Sequence, residues 1–163
     1  MTDQVNHSEE ENLKALESRF MAALEMREQG RVDESFDELQ AIISIEPRLP
    51  EPRMELSRIL LDTDRVESAV EHARLALEHL EASGPWIDNF PTNTILALAH
   101  AILAEGLRRR ADEDDIIFGD PEQFKEIITE SRAHFQRASE LDDADAYSSY
   151  YAFFMGAKSS GPT

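Results

Sequence analysis

LESRFMAALEMREQGRVDESFDELQAIISIEP (residues 16–47) and PEPRMELSRILLDTDRVESAVEHARLALEHLE (residues 50–81) are two renderings of one pattern, offset by 34 residues. In the first copy the marker positions are Ala23, Met26, Gly30, Ser35, Leu39, Ile42 and Pro47. In the second they become Ser57, Leu60, Asp64, Ala69, Ala73, Ala76 and Glu81. Small residues at fixed places on two short helices, repeating at this period, are the sequence signature of a helix-turn-helix solenoid unit. Such a unit is a binding scaffold, and its pattern does not say what it binds.

From Leu13 on, Leu13, Leu16, Phe20, Ala23 and Leu24 are mostly three and four apart, with Arg27 next on the stripe, so one helix face reaches Gln29. Gly30 ends that helix. A second helix starts near Val32 and Asp33, buries Phe36, Leu39, Ile42 and Ile43, and stops before Pro47. The segment E-P-R-L-P-E-P-R (46–53) holds three prolines and reads as a turn. A third helix then carries Met54, Leu56, Ile59, Leu60 and Leu61, antiparallel to the second because the connection is short. A fourth, from Val66 to about Glu81, faces Ala69, Val70, Ala73, Ala76, Leu77 and Leu80 inward, its alanines allowing close approach of two axes.

These residues resemble the tetratricopeptide repeat (TPR) family. The family's small residue, inter-helix turn residue, second small residue, further apolar and alanine positions and closing proline are matched by Ala23, Gly30, Ser35, Leu39, Ile42 and Pro47, then by Ser57, Asp64, Ala69, Ala73 and Ala76. The first copy lacks the usual early aromatic, with Arg19 beside Phe20, and the second closes on Glu81 instead of proline. The resemblance implies an all-α fold of antiparallel helical hairpins stacked as a right-handed solenoid with a C-terminal capping helix. It also implies a concave groove lined by the first helix of each unit. Carried over unit by unit, the peptide-binding residues are Phe20, Leu24 and Arg27, then Met54, Arg58 and Leu61, then Leu96, His100 and Leu103. Apolar members would form pockets, and the two arginines would bond a ligand's backbone or carboxylates. Where family members clamp chaperone C-termini with lysines and asparagines, this chain has Phe20, Leu24, Glu55, Asn93 and Ala97, so that activity is not expected.

Beyond the second copy, SGPWIDNFP (83–91) is a turn-rich linker holding the one tryptophan. Thr92 or Asn93 can cap a fifth helix whose Ile95, Leu98, Ala99, Ile102 and Gly106 match the first helix of a third unit. Ala99 stands 42 residues after Ser57, the repeat step plus an eight-residue insertion. Arg108, Arg109 and Arg110 suit a helix C-terminus and the D-E-D-D (112–115) beside them better than a polyanion site. Residues 111–120 read as a candidate functional loop, ended by the helix start Asp120-Pro121. The sixth helix shows Phe124, Ile127, Ile128, Ser131, Phe135 and Ala138. The 62-residue step from Ala76 to Ala138 leaves about 20 extra residues between the helices of the third unit. A last helix, 144–157, carries Tyr147, Tyr150, Tyr151, Phe153 and Phe154 and would cover the open end of the array or form a contact patch.

The charge of −18, from 34 acidic and 16 basic side chains, disfavours nucleic acid and anionic membrane as partners and suits a basic or amphipathic protein or peptide. Acidity also serves solubility by itself. Cysteine is absent, which excludes disulfides and thiolate chemistry. The polar N-terminus shows no signal peptide, and no apolar run approaches the roughly 18 residues of a membrane span, so a cytoplasmic protein is expected. Domain organisation reads as a disordered acidic stretch at 1–10, one domain at 11–157 and a flexible tail at 158–163, with a Ser8–Glu11 capping box opening the first helix.

His72, His79, His100 and His134 lie in predicted helices, and Glu130 precedes His134 by four residues, a spacing that could chelate a metal. A metal site needs three or four converging ligands, however, so no metal and no cofactor is expected. No phosphate loop, nucleophile elbow or H-E-x-x-H occurs. The function expected is a non-catalytic protein-interaction scaffold or adaptor. The alternatives are a secretion-type or assembly chaperone, which would keep one substrate soluble on co-expression, and a structural homo-oligomer subunit.

Overall fold

A computed structural model describes residues 2–87 and 91–141. All regular structure among them is helical: α1 (Thr2–Glu28), α2 (Val32–Ile45), α3 (Pro50–Asp62), α4 (Val66–Ser83), α5 (Thr92–Ala111), α6 (Asp114–Ile117) and α7 (Pro121–Leu141). The expected C-terminal capping helix and tail lie outside the described residues. The chain divides into two compact units, Met1–Pro47 and Arg48–Thr163.

The first unit is the α1–α2 hairpin. α1 already runs at Thr2, so Ser8 lies within the helix and does not cap it. Residues 8–15 of α1 are exposed and burial begins at Leu16; the outer turns extend a helix already nucleated where it is packed, since propagation is easier than initiation. Leu16, Phe20, Ala23 and Leu24 are buried in α1, as are Ser35, Leu39, Ile42 and Ile43 in α2.

In the second unit α3 packs on α4, α4 on α5 and α5 on α7. Its core joins Met54 to Ala73, Ala76, Leu77 and Leu80 of α4 and Ile95, Leu98, Ala99, Ile102, Leu103 and Leu107 of α5. At Gly106 a Cβ would sit 3.1 Å from Val70 Cγ2, so the missing side chain lets α5 lie close on α4. α3 begins at Pro50, inside the segment expected to be a turn. Pro50 and Pro52 fall in its first turn, where backbone N–H groups have no intrahelical acceptor and a proline removes nothing.

The 34-residue step is visible bond by bond in the two inter-helix turns. In the first, Gln29 N–H donates to Glu25 O, Gly30 N–H to Arg27 O and Arg31 N–H to Met26 O; in the second, Thr63 N–H donates to Ile59 O, Asp64 N–H to Leu61 O and Arg65 N–H to Leu60 O. Gly30 (φ 83°) and Asp64 (φ 59°) both take the left-handed conformation that such a helix ending requires. The helices of each hairpin are also clasped alike. Ser35 Oγ donates to Ala23 O and Ser57 Oγ to Ala69 O, each at 2.7 Å and 12 residues apart.

A third clasp of 2.7 Å links Ser131 Oγ on α7 to Ala104 O on α5, with 27 residues between the partners instead of 12. Ser131 keeps the expected register of the second helix. On α5, Ala104 occupies the place expected of Ala99, so the insertion between the helices is 15 residues instead of about 20. Within the insertion, the region expected to be a loop contains α6, pinned by buried Ile116. Asp120 and Pro121 start α7 as expected, with Glu122 N–H donating to Asp120 Oδ1 at 3.0 Å. α5 starts at Thr92 with no side-chain cap from Thr92 or Asn93. On α7 only Ser131 is buried, and Phe124 (38%) and Phe135 (41%) are exposed.

Candidate functional site

Most residues assigned to a peptide groove are inside the protein. Phe20, Leu24, Met54, Leu61 and Leu103 are buried, and Met54 and Leu103 belong to the core of the second unit. Their helical spacing is that of a core stripe, and the core has taken them. Arg58 is also buried, with Nη1 donating to Glu55 Oε1 at 3.1 Å. Arg27 and Leu96 are half-buried. Of the nine, only Leu96 and His100 border a described depression.

That depression, about 480 Å³, is lined by Glu81 from α4, Leu96 and His100 from α5, and Ala133, His134, Arg137 and Leu141 from α7. His100 and His134 meet across the α5–α7 contact with Nδ1 to Nδ1 at 2.8 Å and ring centroids 5.1 Å apart. One Nδ1 must donate and the other accept. His134 Nε2 lies 3.5 Å from Glu130 Oε2, which favours a proton on that nitrogen and leaves His134 Nδ1 to accept from His100 Nδ1–H. Glu130 is in turn held by Arg74 of α4, whose Nη2 donates to Oε1 at 2.7 Å while Nη1 bonds Oε2. Arg74, Glu130, His134 and His100 thus form one polar chain through α4, α7 and α5.

Burial, then the neighbouring His134 and Arg137, lower the His100 pKa to about 4, so this ring is neutral near pH 7. The bonds from Arg74 hold the Glu130 carboxyl below its usual range. The depression therefore offers an apolar wall of Leu96, Ala133 and Leu141, a guanidinium at Arg137 and one carboxylate at Glu81. It can take an apolar side chain together with a carboxylate or backbone carbonyl. Among the described residues no group of three or more His, Cys, Asp or Glu could hold a metal ion, and no helix is long and apolar enough to cross a membrane.

The other polar clusters stabilise the fold. Fully buried Glu51 accepts from Trp86 N–H at 3.1 Å and Ile87 N–H at 2.7 Å, fixing the linker after α4 to the first turn of α3. Arg53 Nη1 lies 3.2 Å from His72 Nδ1, and burial followed by the Arg53 charge lowers the His72 pKa against an opposing effect of Glu71. The three consecutive arginines are engaged by carboxylates as expected: Arg108 by Glu105 and Asp112, Arg109 by Asp64, Arg110 by Glu113 and Asp115.

Sequence reasoning singled out His134 with Glu130 as a metal-chelating spacing and His100 as a groove residue, without joining them. It missed Glu81, Ala133, Arg137 and Leu141. The lengthened third hairpin hides which faces of α5 and α7 meet, and no fixed spacing could have supplied it.

No family model matches this chain, and no curated protein matches it. Among the described residues the structure defines its class as an all-α protein.

Proposed function

We propose that this chain is a non-catalytic protein-interaction scaffold of the TPR kind, its hairpins stacked as a right-handed solenoid, which takes a peptide or helical segment of a partner protein. The repeat reading is supported by the paired turns and the 2.7 Å serine clasps. The observation that carries the binding reading is the depression combining Leu96, Ala133 and Leu141 with Arg137 and the His100–His134 pair. Its chemistry fits a segment bearing an apolar side chain close to a carboxylate, to which the Arg137 guanidinium, paired with Glu140 at 3.4 Å, would also donate.

The test is a pull-down from native lysate with wild type, Leu96→Glu and Arg137→Glu, each checked for unchanged helical circular dichroism. Leu24→Glu and Leu61→Glu are unsuitable because both residues are buried. The reading expects partners held by the wild type to be lost from both variants. Retention of every partner by both would remove the depression as the binding site.

A further inference from the structure

We propose that the tip of the α5–α7 insertion, Ile117 and Phe118, is a second docking point, an apolar anchor for a basic amphipathic helix of a partner protein. Phe118 is 84% exposed and Ile117 47%. A phenylalanine on a loose loop could be set aside, but this one is held in place from both sides. Ile116 beside it is 1% exposed and roots the turn in the protein. Ile117 N–H donates to Glu113 O and Phe118 N–H to Asp114 O, both at 2.9 Å, and Gly119 N–H closes on Ile116 O at 3.3 Å.

Arg110 braces the same turn from α5. Its two Nη groups donate to Asp115 Oδ1 and Oδ2 at 2.7 and 2.8 Å, and Nη1 reaches Glu113 Oε1 at 2.9 Å. A Cβ at position 119 would lie 2.3 Å from Asp115 O, a backbone atom, so glycine is what lets the chain turn there. The two apolar side chains are therefore presented in water by a pre-ordered support, and a partner burying them does not have to order the loop first. A preset aromatic anchor of this kind is what binding hot spots use.

Charge identifies the occupant. Residues 112–122 contain six carboxylates and no basic side chain. Arg108 and Arg110 neutralise part of that charge from the α5 side. A surface complementary to the tip carries an apolar groove edged with Lys or Arg, which is one face of a basic amphipathic helix. A second copy of this chain, at −18, brings the wrong sign.

The probe is a fluorescent Leu/Lys amphipathic helical peptide titrated with the full chain at physiological ionic strength, with the matching Leu/Glu peptide as control. The proposal expects binding of the Leu/Lys peptide alone, about tenfold weaker for Phe118→Ser and largely kept by Phe118→Leu. Asp114→Asn with Glu122→Gln should weaken binding and flatten its salt dependence. Equal binding by Phe118→Ser would reduce the effect to general attraction between opposite charges and overturn the proposal, as would absence of Leu/Lys binding or equal Leu/Glu binding. A fall in the solution mass of the protein alone in Phe118→Ser would make a second copy the occupant and overturn it too. Leu96→Glu should leave this binding unchanged, so failure here and failure of the depression are read separately.

Discussion

A hydroxyl donating to a helix carbonyl at the closest approach of two helices is the smallest unit repeated here, and the first two hairpins place it on opposite partners. Ser35 of α2 reaches Ala23 of α1, whereas Ser57 of α3 reaches Ala69 of α4. The serine is buried in each case, so its donor needs an acceptor, and the facing alanine keeps the gap narrow enough to supply one. Ser57→Ala should cost about 1 kcal/mol in urea unfolding, the worth of one buried hydrogen bond. Adding Ala69→Ser rebuilds the arrangement of the first hairpin and should recover most of that loss. If the double variant is no more stable than Ser57→Ala, the clasp is not the determinant. At His100 the relevant variable is pH. Its folded pKa of about 4 lies below the usual 6.5, so the unfolded chain takes up the proton first as pH falls. Well above pH 6.5 both states are neutral and the residue imposes no cost; the cost grows as pH falls to about 4 and levels off below it, on the order of 3 kcal/mol. Melting curves across that window should show wild type losing stability faster than His100→Asn. Parallel curves would mean that His100 is not held neutral.

Among elements, the two inter-helix turns test how far local chemistry sets the repeat. Both need one residue at positive φ, and the chain supplies glycine at position 30 and aspartate at position 64. Gly30→Ala should destabilise by about 1 kcal/mol because a Cβ is strained there even though nothing lies within 4 Å of it. Asp64→Asn keeps a residue tolerant of that conformation but removes the 2.9 Å pair with Arg109, half of which is strongly exposed, and should change stability little. Denaturation midpoints that reverse this order would place the constraint in the ion pair. Here sequence reading succeeded, since Gly30 and Asp64 stand one period apart and both close a helix. It failed at Pro50 and Pro52, where the rule against proline in a helix does not reach the first turn. It failed again at Ala99, because an insertion of unknown placement leaves two registers that bury equally apolar residues. Of the residues lining the depression, only Leu96 and His100 are among the positions expected to face a groove. Phe20, Leu24, Met54, Leu61 and Leu103 were assigned by analogy to a surface, whereas their apolarity served the interior.

For the whole chain, what matters is where the main apolar cluster lies. The cluster from Met54 to Leu107, with Ile127 packed against it, lies entirely within Arg48–Thr163 and joins α3, α4, α5 and α7. Met1–Pro47 is one helix pair, and half of α1 carries no buried side chain among its described residues. A chain of this size buries too small a fraction of its surface to offset the conformational entropy of folding. Residues 48–163 produced alone should therefore be helical and melt in one cooperative transition, while residues 1–47 alone should show weak helicity that fades gradually on heating. Circular dichroism of the two fragments decides the matter. A gradual melt of 48–163 would show that its cluster does not act as an independent core, and a sharp melt of 1–47 would show that the first hairpin needs no repeat neighbour, which would also weaken the solenoid reading of the chain.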